Sequence, residues 1–385
     1  MWKLQENALN KNDLLELSNY ILKTKTLTQG NEVKKFERNF SKWNKSKYSI
    51  FVNSGSSANL LIIFAAKEFY KWKHTDEIIV PSLTWPTTVN PVIQAGLKPI
   101  FVDTNFNDLS INYEDLKKKI TKRTKGIFLA HILGFPANIK KIKNLIKNRN
   151  IKLFEDCCES YGAKISKKKI GNFGLASSYS FYWAHHMTTI EGGMITTNNF
   201  KFYNLCKVKR SHGFARELDK KQHNKIKRKY KNINFNFLFL SDGFNLRSTN
   251  LNAFLGINQL KKLNSYIRSR NNNYKKFIKC LDPYKSHFHN ITFSNYNSMS
   301  SFALPFIFKK NYFLKRFCGL LDKEKIEYRP LVSGDLTKQP YLKKKNVKNK
   351  YCDIISKNAI YIGNNQFLTD KHFTVLNKIL IKLFS

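Results

Sequence analysis

The sequence contains no run of the roughly 18 to 20 uncharged apolar residues that a membrane helix requires. Its first residues, MWKLQENALNKNDLLEL, lack the apolar centre of a secretion signal. No membrane partner is expected, and the expected compartment is the cytoplasm. The six cysteines, at positions 157, 158, 206, 280, 318 and 352, show neither CxxC nor CxC spacing. A zinc ribbon and a thioredoxin-like redox pair are therefore not expected, and no metal is assigned. Adjacent Cys157 and Cys158 follow an apolar run and read as small side chains packed at a strand end. Internal repeats and long low-complexity tracts are also missing, which argues against a solenoid.

Acidic residues are scarce: 26 Asp+Glu face 68 Lys+Arg, a net charge of +42. Such an excess can mark a nucleic-acid binder. However, Lys, Asn, Ile, Phe and Tyr are abundant together, the pattern of codon drift in an AT-rich genome, and a positive field can also steer an anionic substrate. The densest basic run, KKQHNKIKRKYKN from Lys220 to Asn232, has no apolar face at helical spacing and no base-reading motif beside it. A solvated loop is expected there, and nucleic acid is not expected as a partner.

With 385 residues and 42% hydrophobic content, the chain can fill one large core and a smaller one. YSIFVNSG, DEIIVPS, KPIFVD, KGIFLAHILG and IKLFEDCC are short Ile/Val/Phe-rich runs that end in small or polar residues. They alternate with helix-like stretches such as SANLLIIFAAKEFYKW and IKKIKNLIKNRN. Alternation of this kind predicts an α/β fold with a mostly parallel sheet covered on both faces. Ligands of such sheets gather at the carboxyl edge, where SGSSAN, PSLTW, HILG and EDCCES fall. After about Tyr266 the pattern changes, and NITFSNYNSMSSFALPFIF adds further strand-like runs. A large domain over 1–265 and a smaller one over 266–385 are expected, with the start of the chain packing beside the latter.

Ser54-Gly55-Ser56-Ser57-Ala58-Asn59 follows a strand and opens a helix, so its N–H groups and hydroxyls can meet a phosphate or simply cap the helix. Trp85, between Pro81 and Pro86, can stack on a heteroaromatic ring or fill the core. Asp156 ends an apolar strand at the sheet edge, where a buried carboxylate needs a partner: a protonated pyridine nitrogen or a lysine. His185, taken alone, reads as readily as a buried imidazole satisfied by backbone.

The string from Ser180 to Thr197, SFYWAHHMTTIEGGMITT, carries the most information. It resembles the SFYP-x-K-x(5)-EGG segment of the sugar aminotransferases of the DegT/DnrJ type, whose lysine binds pyridoxal phosphate (PLP). Six residues before Glu191 stands His185 instead of lysine. Histidine at this point is the mark of a subgroup, the sugar-nucleotide 3-dehydratases that use pyridoxamine phosphate (PMP), above all those acting on a GDP-linked sugar. VPSLTWPTTVNPVIQAGLKPIFVD, HILGFPANI, EDCCESYGA, RSHGFARELD, GFNLRSTNLNAFLGINQLKKL and EYRPLVSGDL occur in the family's order. The resemblance thus covers nearly the whole chain, and Trp183 departs from it where the family has proline.

The resemblance implies the fold-type-I architecture of PLP-dependent transferases, a seven-stranded-type sheet with a smaller C-terminal α/β domain. It implies that Gly55, Ser56, Ser57 and Ser180 hold the cofactor phosphate, that Trp85 stacks on its ring, that Asp156 pairs with its nitrogen, and that Glu159 lies nearby. Asn245 would reach the phosphate of a neighbouring subunit, which makes a homodimer with shared active sites. His212 would meet substrate, across the same interface, and Arg329 would meet substrate or the carboxylate of glutamate.

Imidazole cannot form the stable covalent link that lysine makes, so PMP would be bound untethered. Histidine, titrating near neutral pH, can take a proton and return one. The activity implied is loss of the C3 hydroxyl from a nucleotide-linked 4-keto-6-deoxyhexose, giving a 3-deoxy-4-keto sugar for surface polysaccharide, with ammonia released and glutamate restoring PMP. Three alternatives remain: an aminotransferase with an atypical histidine, an iron–sulfur-dependent dehydrase of a CDP-sugar (against which the missing CxC argues), and a basic nucleic-acid binder built on the same fold.

Overall fold

The computed structural model of the chain describes residues 1–289, 298–345 and 347–385. The element order starts with α1 (Lys11–Lys23), α2 (Asn31–Asn44), β1 (Tyr48–Val52), α3 (Gly55–Tyr70), β2 (Glu77–Pro81), α4 (Pro86–Gln94) and β3 (Lys98–Val102). Next come α5 (Tyr113–Lys119), β4 (Thr124–Ala130), α6 (Ile139–Ile146), β5 (Lys152–Asp156) and the small hairpin β6 (Lys164–Ile165) and β7 (Lys168–Lys169). β8 (Ala176–Ser180), β9 (Gly193–Thr197), α7 (Phe200–Arg210), α8 (Lys220–Lys229) and α9 (Asn250–Leu281) follow. The chain closes with β10 (Ala303–Ile307), α10 (Asn311–Lys323), β11 (Tyr328–Pro330), α11 (Lys350–Asn358), β12 (Ala359–Gly363) and α12 (Asp370–Phe384).

The apolar runs become strands because β-branched and aromatic side chains suit a sheet buried on both faces. They form one seven-stranded sheet in the order β1-β9-β8-β5-β4-β2-β3. Pairing is parallel from β3 through β2, β4 and β5 to β8, while β9 runs antiparallel to both β8 and β1. Strands β1, β2, β4, β5 and β8 therefore end at the same edge, which carries the polar segments singled out above. α3 is apolar nearly all round because it is enclosed, packing on β8, β9, α4 and α7. A second sheet, β10-β12-β11, is antiparallel and has its own core with α10 and α12. The chain start joins that unit: Trp2 bridges to Ile326, and its indole N–H donates to the Gly363 carbonyl.

One expectation meets the structure differently. The basic run is not a loop: Lys220–Lys229 forms α8, with none of its residues buried. Asp219 caps it by accepting from the Lys221 N–H, and lysine is a good helix former even where no apolar face exists to reveal the period. The change of pattern after about Tyr266 falls inside α9, which continues unbroken to Leu281. The strand-like run at its far end is β10, but 290–297 lie outside the described residues. All six cysteines are free thiols, Cys157 fully buried just past β5. Among the described residues no helix is long and apolar enough to cross a membrane.

Candidate active site

A cavity of roughly 550 Å³ opens where the strands of the large sheet end, within the range of small-molecule sites. The sheet edge forms its floor, and the second sheet and the Lys3–Gln5 segment form its wall. Gly55, Ser56, Trp85, Asp156, Glu159, Ser180, His185 and Arg329 all line it. Residues more than 270 positions apart in sequence are thus brought together.

At one end is the N-terminus of α3, whose first N–H groups have no intrahelical acceptor. Ser54 is the N-cap: its Oγ accepts from the Ser57 N–H at 3.0 Å and donates to Ser57 Oγ at 2.9 Å. Ser57 is thereby turned to the cap and does not line the cavity, unlike Ser54 itself. The helix start abuts the end of β8 so closely that a Cβ on Gly55 would lie 2.4 Å from Ser180 Cβ. Only glycine leaves these N–H groups open beside the Ser180 hydroxyl. The arrangement can hold a phosphate.

Asp156, at the carboxyl end of β5, is oriented from both sides. Its Oδ2 accepts from Asn59 Nδ2 at 2.8 Å and from Thr88 Oγ1 at 3.0 Å, and its Oδ1 from the Cys158 N–H at 3.1 Å. No lysine pairs with it among the described residues. Trp85 is the N-cap of α4 and 55% exposed, so it is a flat wall of the cavity and not a core side chain. Glu159 Oε2 accepts from the Leu133 N–H at 2.8 Å, and Leu133 holds a positive φ of 50° to present it. Burial pushes the Glu159 carboxyl up to about 7, the Leu133 bond opposes this, and the Asp156 charge adds to it.

The loop between β8 and β9 is closed by the Phe181 N–H donating to the Gly192 carbonyl and the Thr189 N–H to that of Phe181. His185 and His186 lie on it. His186 is fully buried, its Nε2 within 3.1 Å of Ser300, whereas His185 lines the cavity. The His185 ring lies between Tyr161, 6.3 Å away and nearly parallel, and Phe302, 5.4 Å away, and its buried Nδ1 has no hydrogen-bond partner. Burial pulls the imidazole down to about 3, with the Arg270 charge adding to the effect. It is therefore neutral at physiological pH, the form that can accept a proton.

Arg329 on β11 lies opposite Tyr361 of β12, which also lines the cavity. His212 and Asn245 do not reach this cavity. Both are exposed, and both contact Arg247: Asn245 Oδ1 accepts from its Nε at 3.0 Å, and His212 Nε2 lies 3.5 Å from its Nη2.

Sequence reasoning missed Asn59 and Thr88, which aim Asp156, and Gln5 and Phe302, which close the wall. A single amide inside the apolar run of α3 could have flagged Asn59; nothing local marks Gln5. Among the described residues one group could offer three metal ligands: His131, Glu155 and Cys157. Its atoms are engaged elsewhere. His131 Nδ1 accepts from the Ala137 N–H, its Nε2 faces Glu155, and Glu155 accepts from the N–H groups of Gly171, Phe173 and Gly174.

The model of the DegT/DnrJ/EryC1/StrS aminotransferase family matches residues 9–379. The chain is 37% identical over 374 residues, 94% of each chain, to GDP-4-keto-6-deoxy-D-mannose 3-dehydratase of Escherichia coli O55:H7. Among solved structures, it resembles a histidine-to-asparagine mutant of GDP-4-keto-6-deoxymannose-3-dehydratase with bound GDP-perosamine, with TM-score 0.89, 34% identity and coverage of 99% and 100% of the two chains. It also resembles that dehydratase with a trapped PLP-glutamate geminal diamine, with TM-score 0.87, 32% identity and the same coverage. The fold is that of the PLP-dependent sugar aminotransferases. From its cofactor-type cavity to its full-length likeness, the chain belongs to the DegT/DnrJ/EryC1/StrS aminotransferase family.

Proposed function

We propose that the chain removes the C3 hydroxyl of a GDP-linked 4-keto-6-deoxyhexose, using PMP as its amine and glutamate to restore it. The observation that carries this reading is His185, facing the cavity at the position where the segment it resembles in the DegT/DnrJ-type aminotransferases has lysine. The residues fit the cofactor on two counts. Gly55 leaves open a phosphate-sized cradle that a Cβ would close, and His185 Nδ1 is a buried nitrogen without a partner.

PMP, when bound, supplies an amine for the C4 carbonyl and a ring that accepts electrons. Gly55, Ser56 and Ser180 would hold its phosphate, Trp85 would pack against its ring, and Asp156, aimed by Asn59 and Thr88, would pair with its ring nitrogen. His185 takes a carbon-bound proton as free base and, once protonated, returns it to the departing C3 hydroxyl. Tyr182 and Trp183, both exposed, line the same cavity. Arg329 offers a fork for the carboxylate of glutamate. The sugar exchanges C–OH for C–H, and oxidative deamination of glutamate provides the two electrons and the ammonia.

The placement of His212 and Asn245 outside their own cavity supports a homodimer in which each is lent to the partner's site. We further propose a division at 265/266, with Arg329 contributed by the C-terminal part, and a cytoplasmic protein feeding deoxysugar into surface polysaccharide.

The test is incubation of purified protein with PMP, glutamate and a panel of 4-keto-6-deoxy nucleotide sugars, read by mass spectrometry. A product lighter than its substrate by one oxygen atom, together with free ammonia, supports the reading. Nitrogen retained on the sugar makes the protein an aminotransferase.

A further inference from the structure

Arg270 on α9 is fully buried, yet among the described residues no carboxylate is its partner. Nη1 donates to the carbonyl oxygens of Phe302, at 3.0 Å, and of Asn364. Nη2 donates to Gln5 Oε1 at 3.5 Å, and Nε has no partner among the described residues. An uncompensated guanidinium in a protein interior costs stability. A helix that needed only to pack there would be served better by a methionine or leucine.

What it holds indicates its use. Phe302 and Gln5 both line the cavity. The next residue of α9 straps the same segment down: Asn271 Nδ2 donates to the Met299 carbonyl at 2.8 Å, and its Oδ1 accepts from the Ser301 N–H at 3.0 Å. Ser300 within this segment fixes His186, and the ring of Phe302 lies 5.4 Å from that of His185. On the other side, Gln5 Nε2 approaches the carbonyl of Trp183, two residues before His185. The guanidinium therefore ties together the strips of chain that border the imidazole on two sides.

We propose that Arg270 is a positioning residue for proton transfer: it locks the Ser300–Phe302 and Gln5 segments against His185 and so holds that imidazole at the cavity. This rests on the reading of His185 as the proton carrier. The other titratable groups around the ring are Tyr161 beyond β5, Tyr182 and His186 on its own loop, and Asp156, Cys158 and Glu159 across the cavity; the cations Lys3 and Arg329 line the cavity further on. Burial lowers Arg270 itself only to about 9, so it stays charged in the neutral range. Burial lowers both neighbouring histidines, and the Arg270 charge adds to the effect.

The test is an NMR titration of the histidine-labelled, cofactor-free full chain, with the His185 signal assigned by its loss in His185→Asn. Arg270→Gln should raise the His185 pKa by about one unit or more, whereas Arg270→Lys, which keeps the cation, should leave it within about half a unit. In the loaded enzyme, Arg270→Gln should move the pH profile of kcat in the same direction. An unchanged His185 titration in folded Arg270→Gln overturns the proposal. If that variant does not fold, Arg270→Lys decides: a titration like wild type with lowered kcat supports the proposal, and a shifted titration or undiminished kcat overturns it. An inactive wild type would sink the dehydratase reading and this inference with it, whereas an active wild type whose His185 titration is unmoved in Arg270→Gln would sink this inference alone.

Discussion

His186 Nε2 lies 3.1 Å from both the carbonyl oxygen and the hydroxyl of Ser300, and this contact decides which of two adjacent histidines faces the cavity. With His186 tied to the Ser300 segment, the loop presents His185 inward. His186→Ala should therefore act mainly on stability, costing about 1–3 kcal/mol through a lost buried bond and the polar group left behind. Urea denaturation would measure it, and turnover of the folded fraction should fall far less than for any substitution of His185.

Gly55→Ala should damage cofactor binding selectively. The added methyl would meet Ser180 at 2.4 Å, so the start of α3 or the end of β8 must move, and both border the phosphate cradle. Overpacking of this kind costs about 1–3 kcal/mol, or roughly tenfold or more in the cofactor dissociation constant. An absorbance titration of the apoprotein with PMP would show it.

Asp156→Asn keeps the shape of the site but removes the charge proposed to pair with the ring nitrogen. The kcat should drop by about 10²–10³, the scale on which one electrostatic contact matters in a water-poor site. Thr88→Val, which removes one of the donors that aim Asp156, should give a smaller loss in the same direction. Equal kcat for wild type and Asp156→Asn in steady-state assays would remove Asp156 from the mechanism.

Glu159 and His185 give the apoprotein opposite pH dependences. The Glu159 carboxyl, near 7 when folded and 4.5 ordinarily, binds a proton more tightly in the native state, so its contribution to stability falls as pH rises through that window. His185, near 3 when folded and 6.5 ordinarily, binds one less tightly, so its contribution falls as pH drops below 6.5. Glu159→Gln should flatten the first slope and His185→Asn the second, as read from urea midpoints between pH 4 and 8.

The five apolar runs were legible as strands because a buried parallel sheet writes itself as unbroken Ile/Val/Phe. Their polar ends were legible as the site because such sheets bind ligand at that edge. α8 was not legible, since a helix solvated on every side carries no apolar period. The role of Ser57 at the phosphate is implied by the family resemblance alone; the cap geometry, in which Ser54 holds Ser57 while Ser56 lines the cavity, has no local signal in the sequence. Gln5 and Arg270 were invisible for another reason. Their importance lies in a contact across 265 positions of sequence, which no local pattern encodes.

The most direct test of His185 as the proton carrier is a single turnover of PMP-loaded His185→Asn with a GDP-linked 4-keto-6-deoxyhexose, alongside a cofactor titration of the same variant. Dehydration should slow by about 10²–10⁴, the contribution of a positioned acid–base, while PMP binds nearly as in wild type. A single-turnover rate within a few-fold of wild type would contradict the account.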